Sequence, residues 1–76
     1  MPAVEDDRNP LMNPIVGDVV EKGGITRTVV EVYGQGQNIL YDRVKGDSRK
    51  PQQLCYISTW REWCVKATVI KKAQGR

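Results

Sequence analysis

Residues 14–33 read PIVGDVVEKGGITRTVVEVY, two β-branched runs on either side of Gly23-Gly24. Val, Ile and Thr fit a pleated, half-buried surface, and a glycine pair takes the positive φ of a tight hairpin turn without steric cost. The stretch therefore predicts an antiparallel hairpin with strands over residues 18–22 and 25–33. Its adjacent Val29, Val30 and Val32 break strict alternation, so a bulge, or a strand covered on both faces, is expected in the second strand.

Reading towards the C-terminus, Gly34-Gln35-Gly36 is a turn and residues 37–44 are a third strand with Ile39, Leu40, Tyr41 and Val44. The segment 45–51, KGDSRKP, is polar and ends in proline, which predicts a loop, followed by a fourth strand over 54–57. A helix is predicted from Ser58 or Thr59, because Thr59-Trp60-Arg61-Glu62 matches a capping box. Trp60, Trp63, Cys64 and Ala67 then share one helical side, and Glu62 can pair with Lys66. The β-branched Thr68, Val69 and Ile70 favour ending the helix near Ala67 and adding a last strand over 68–72. One longer helix over a four-stranded sheet is the alternative. The expected core is Val20, Val30, Val32, Ile39, Leu54, Ile57, Trp60 and Cys64.

Towards the N-terminus, residues 1–14 hold Pro2, Pro10 and Pro14 around a cluster of acids. They predict an irregular arm, disordered over 1–9 and docked by Leu11 and Met12. The domain proper is expected over 15–72, with a tail at 73–76.

The chain has 76 residues and a net charge of +3, enough for one domain with a thin core. The charge is unevenly spread: residues 1–41 carry −3 and residues 42–76 carry +6. A basic half of that size either steers anionic partners or simply solvates one face. There is no histidine, and Cys55 and Cys64 are the only cysteines. No CxxC pair is present, so neither a metal site nor a cofactor is expected, and both thiols are read as reduced and packed into the core. With no signal-peptide pattern and no apolar run near the roughly 20 residues of a membrane span, the expectation is a cytoplasmic protein without membrane contact.

Four strands, a helical segment and a fifth strand resemble the element order of SH3-like barrels. Gly17-Asp18-Val19-Val20, Gly23-Gly24 and Thr28-Val29-Val30-Glu31-Val32 are similar to the first hairpin of the KOW and Tudor-type versions. The stretch 55–63, CYISTWREW, is similar in style to short bacteriophage and prophage proteins. The resemblance implies a mainly β fold, a small SH3-like barrel of about five antiparallel strands with one short C-terminal helix, serving as a binding scaffold. A Tudor-type aromatic cage is not expected, since Tyr33, Tyr41, Tyr56, Trp60 and Trp63 must also serve the core. Type II dihydrofolate reductases are similar in length and class, but their Val-Gln-Ile-Tyr segment is not matched by Gln37-Asn38-Ile39-Leu40-Tyr41.

Catalysis is not expected, because acid–base or thiolate chemistry lacks a histidine or a paired carboxylate to support it. The expected function is a protein-interaction module of phage type, with Lys45, Arg49 and Lys50 of the 45–51 loop and the neighbouring Arg61 as contact residues for an acidic partner. The alternative is weak, sequence-insensitive nucleic-acid binding through the basic C-terminal half. Self-association through the acidic arm and the basic body is a further option.

Overall fold

Gly23 and Gly24 have φ of 58° and 81°, and Lys22 faces Ile25 across them. This tight turn joins β1 (Val19–Lys22) to β2 (Ile25–Tyr33), as the sequence predicts. The computed structural model describes residues 8–73. It continues with β3 (Asn38–Lys45), β4 (Ser48–Tyr56), α1 (Ile57–Trp63) and β5 (Thr68–Lys71). The fold is mainly β, with all five strands antiparallel in one sheet of order β4-β3-β2-β1-β5. The sheet is open: β4 and β5 are its edges, and no pairing among the described residues joins them into a barrel.

The bulge expected among the valines is present. Val29 faces Tyr41 and Glu31 faces Leu40, leaving Val30 without a cross-strand partner. As a result Val29 is buried and Val30 is only partly so, which corrects the expected core at that position. Leu54 is a second correction, since it lies on the edge strand β4 and is 62% exposed. Val20, Val29, Ile39, Tyr41, Trp60 and Cys64 make the core, with Val32 and Ile57 half-buried around it.

The 45–51 segment is not a loop. Lys45 faces Ser48 across a two-residue turn of Gly46 and Asp47, and Gly46 takes the positive φ of 58° that such a turn requires. The polar residues that read as a loop are instead the start of β4, an edge strand whose residues are exposed apart from Cys55. Charged side chains and proline are tolerated on an edge strand because neither face needs burial. Between Tyr41–Gln53 and Arg43–Lys50 pairing, Asp42 opposes both Pro51 and Gln52. Gln52 adopts φ 56° there and donates its N–H to Asp42 Oδ1 at 2.9 Å. Pro51 thus sits in a bulge, where its missing N–H breaks no regular ladder.

The capping box also fails to form. Helix α1 begins at Ile57, with the extended Tyr56 as N-cap and no side-chain cap, so Ser58 and Thr59 fall inside the first turn. Its start is fixed by tertiary contact: the Ile57 N–H donates to Gln37 O at 2.8 Å. The helix stops at Trp63 rather than near Ala67, and Lys66 turns the chain with φ 70°. The last strand, expected over 68–72, forms over Thr68–Lys71.

Residues 8–14 contain no strand, yet they are tied to the body. Trp60 is fully buried and donates its Nε1–H to Pro10 O at 3.1 Å, while Leu11 packs on the core and Met12 points outward. Disorder was expected over residues 1–9; Arg8 and Asn9 are placed, and residues 1–7 lie outside the described residues, as do 74–76 of the tail. The anchor is Asp18, fully buried. Its Oδ2 accepts from Arg8 Nη1 at 2.6 Å and the Ile15 N–H at 2.8 Å; its Oδ1 accepts from Arg8 Nη2 at 3.1 Å and the Ala73 N–H at 2.7 Å. The Gly-Asp step of the sequence is explained by this clasp. Gly17 has φ 100°, and a Cβ there would meet Ala73 Cβ at 3.2 Å.

Breaking a buried ion pair from one side leaves an uncompensated charge and typically costs about 3–5 kcal/mol. Asp18→Ala should therefore lower the urea unfolding free energy by that amount, and a loss below about 1 kcal/mol would show that the clasp behaves as a surface pair.

Candidate functional site

Alternation along β2 and β3 decides which side chains share a face. Buried Val29, Ile39 and Tyr41 mark the inner face, the one covered by α1. Arg27 and Arg43 have the same parity and face each other directly, and Arg43 in turn faces Lys50. Three cations thus stand in one row across β2, β3 and β4, spanning roughly 10 Å at the usual strand spacing. Lys45, one pleat further out, and Lys22, opposite Ile25, belong to the same face. Among the described residues, the strands' carboxylates Glu21, Glu31 and Asp42 all have the opposite parity and fall on the outer face.

Arg27 stands where this row enters the core. It is 8% exposed, with its guanidinium carbon 3.9 Å from the Trp63 ring centre, 4.3 Å from that of Tyr41 and 5.8 Å from that of Trp60. Trp60 and Tyr41 also meet edge to face at 5.7 Å. Three aromatic rings do converge, but the cation they surround is the chain's own. Nε and Nη1 of Arg27 are buried without a hydrogen-bond partner. Burial lowers the Arg27 pKa from its ordinary value, and neighbouring Arg43 pushes the same way against Tyr41, Cys55 and Cys64. The guanidinium stays charged at neutral pH. Like charges directly opposite on adjacent strands are destabilising, so the row strains the sheet unless an anion approaches it.

Lys22 is engaged differently, donating from Nζ to Trp63 O at 2.9 Å, where it caps the C-terminal end of α1. It also lies 5.7 Å from the Trp63 ring centre.

The four contact residues expected from the sequence are dispersed. Lys45 and Lys50 stand on the inner face beside Arg43, whereas Arg49, opposite Val44, is on the outer face. Arg61 is elsewhere: its Nε donates to Met12 O at 2.7 Å and its Nη2 to Asn13 Oδ1 at 3.1 Å, holding the arm. It follows the Tyr56 end of β4, which lies about 20 Å along the strand from Lys50. Arg27 and Arg43 complete the row and carry no motif; the signal for them is parity, since Arg27 alternates with Ile25 and Val29, and Arg43 with Ile39 and Tyr41.

Cys64 is buried and Cys55 half-buried, both as free thiols. Burial pushes the Cys64 thiol up from 9.0 to about 11 and raises that of Cys55. Neither is poised as a thiolate nucleophile. Among the described residues no three His, Cys, Asp or Glu side chains come together in a metal-holding group, and no helix is long and apolar enough to cross a membrane.

Fold and site together define a small, open, mainly β domain with a basic inner face. No protein-family model, curated protein or solved structure matches this chain significantly.

The raised thiols set a pH dependence. The folded state keeps the Cys64 proton beyond the point at which the unfolded chain releases it, so the stability it contributes is full below about pH 9 and is lost as pH rises through about 11. Unfolding free energy should fall over that interval, and less steeply in Cys64→Ala. Parallel pH profiles for the two proteins would place the thiol in contact with solvent.

Proposed function

We propose that this chain is a non-enzymatic binding module that holds nucleic acid weakly and without sequence preference through the inner face of β2, β3 and β4. The row Arg27, Arg43 and Lys50 carries this reading. Cations aligned on a rigid sheet, with no strand carboxylate on the same face, suit a chain of phosphates better than a protein surface of mixed charge. The chain order of four strands, a helical segment and a fifth strand, which is that of SH3-like barrels, supports a binding scaffold of that type. Strand side chains touching phosphates position a nucleic acid without reading its bases.

One observation favours a protein partner as the second reading. Edge strand β4 carries Leu54 at 62% and Tyr56 at 68% exposure, and Tyr33 and Tyr56 flank Asn38 in one row of the outer face. An unpaired strand edge beside exposed apolar side chains can accept a partner's strand. Contact there would use neither the basic row nor Arg61.

Fluorescence anisotropy with short labelled oligonucleotides across a salt series separates the two. Log affinity should fall linearly with log salt, by about 0.7 per phosphate for single strands or about 0.9 for duplex DNA, and Arg43→Gln and Lys50→Gln should each reduce the slope by about one contact. Absence of binding at low salt, or slopes unchanged in both variants, would overturn the nucleic-acid reading and favour the β4 edge.

A further inference from the structure

The hydrogen-bonding capacity of Arg27 is not met by its surroundings. Aromatic rings attract a guanidinium through its flat faces, whereas its N–H bonds lie in the guanidinium plane and need acceptors. Nε and Nη1 have none, although the residue is more than nine-tenths buried. Buried polar groups are nearly always paired, so an exception of this kind asks for a ligand or a function. The neighbour in the row is another arginine, and Arg43 in turn stands beside Lys50.

A group that resolves this arrangement has to be anionic, to relieve the repulsion between Arg27 and Arg43. It has to accept hydrogen bonds in the plane of the guanidinium. It also has to present oxygens to two side chains rooted on strands about 4.8 Å apart. A carboxylate offers only two oxygens in one plane, whereas a tetrahedral phosphate can face one guanidinium with two oxygens and still turn others towards the second. Arg43 is half-buried and Lys50 exposed, so the row descends from solvent to the core, and among the described residues no strand carboxylate shares its face.

We propose that Arg27 and Arg43 form a phosphate subsite, approached from the Lys50 end of the row, in which one phosphate group completes the hydrogen bonds of Arg27. The proposal deepens the nucleic-acid reading and rests on it for the usual source of the phosphate. A free or terminal phosphate has the same chemistry. Phosphate binding moves the Arg27 guanidinium towards the ligand, so the side chain itself reports occupancy.

The test is an NMR titration of the full-length chain labelled with nitrogen-15, following the arginine Nε–H resonances. Sodium phosphate is added at constant ionic strength against chloride, followed by a short oligothymidylate with and without a 5′ phosphate. The Arg27 resonance, assigned by its loss in Arg27→Lys or by contacts with Tyr41 and Trp63 should that variant fail to fold, is expected to shift saturably with phosphate. Arg43→Gln, a change at a half-buried position, is expected to weaken that response roughly tenfold, the loss typical of removing one charged hydrogen-bond partner. A shift with both oligonucleotides assigns the subsite to a backbone phosphate, and a shift only with the 5′-phosphorylated one assigns it to a terminal phosphate. If phosphate leaves Arg27 unmoved, or moves it equally in wild type and Arg43→Gln, the subsite is overturned, even where oligonucleotides bind. If inorganic phosphate moves Arg27 while neither oligonucleotide binds, the subsite stands and the nucleic-acid reading falls.

Discussion

A buried guanidinium without a carboxylate partner is the constraint around which this small domain is arranged. Arg27 occupies space that a chain with so thin a core would more economically fill with a hydrocarbon side chain. It is held instead by the faces of Trp63 and Tyr41. Each such contact contributes about 0.5–2 kcal/mol, against a desolvation cost of several kcal/mol for the charge and about 1–3 kcal/mol for each donor left without an acceptor. The balance favours an apolar residue at this position. A cation kept there against that balance, in line with Arg43 and Lys50, is the basis of the proposed anion-binding face.

The other buried charge shows what satisfaction looks like. Asp18 accepts four hydrogen bonds, two of them from Arg8, and so a fully buried carboxylate becomes the joint between the arm, the entry to β1 and the end of β5. Arg8 extends the joint by donating to Ala73 O at 2.8 Å and Asn13 O at 2.9 Å. The arm is held a second time where Trp60 and Arg61 bond to the backbone at Pro10 and Met12. Basic residues that looked available in the sequence are therefore divided by role: Arg8 and Arg61 hold the arm, Lys22 caps the helix, and Arg27, Arg43, Lys45 and Lys50 line one face.

Much of the sheet was legible because short-range chemistry decides it. The glycine pair at 23–24, the irregular valines of β2 and the β-branched Thr68, Val69 and Ile70 of β5 each act within a few residues, and each reads correctly. The 45–51 hairpin is not legible in the sequence because an edge strand needs no apolar pattern, so Ser48 to Gln53 look like a loop until β3 is placed beside them. The helix start is hidden for a related reason: Ile57 is fixed by Gln37, twenty residues away, and not by Ser58 or Thr59. For the site, Lys45 and Lys50 were recognised by charge, but Arg27 sits in the acidic half of the chain and Arg43 in a strand. Their alignment depends on cross-strand register, which the bulges at Val30 and at Pro51-Gln52 both reset.

The most direct measurement is the urea unfolding free energy of Arg27→Met, which keeps an unbranched apolar stem that can adapt to the space and removes the charged guanidinium. Replacing a buried ion pair by well-packed apolar side chains is commonly neutral or stabilising by about 1–4 kcal/mol, and a buried charge with no carboxylate partner has less favourable interaction to lose. If Arg27 is retained for binding at a cost to the fold, the variant will be at least as stable as the wild type. A loss of more than about 2 kcal/mol, what a desolvated cation–π contact contributes, would instead make Arg27 a structural part of the core and contradict its assignment to the proposed anion-binding face.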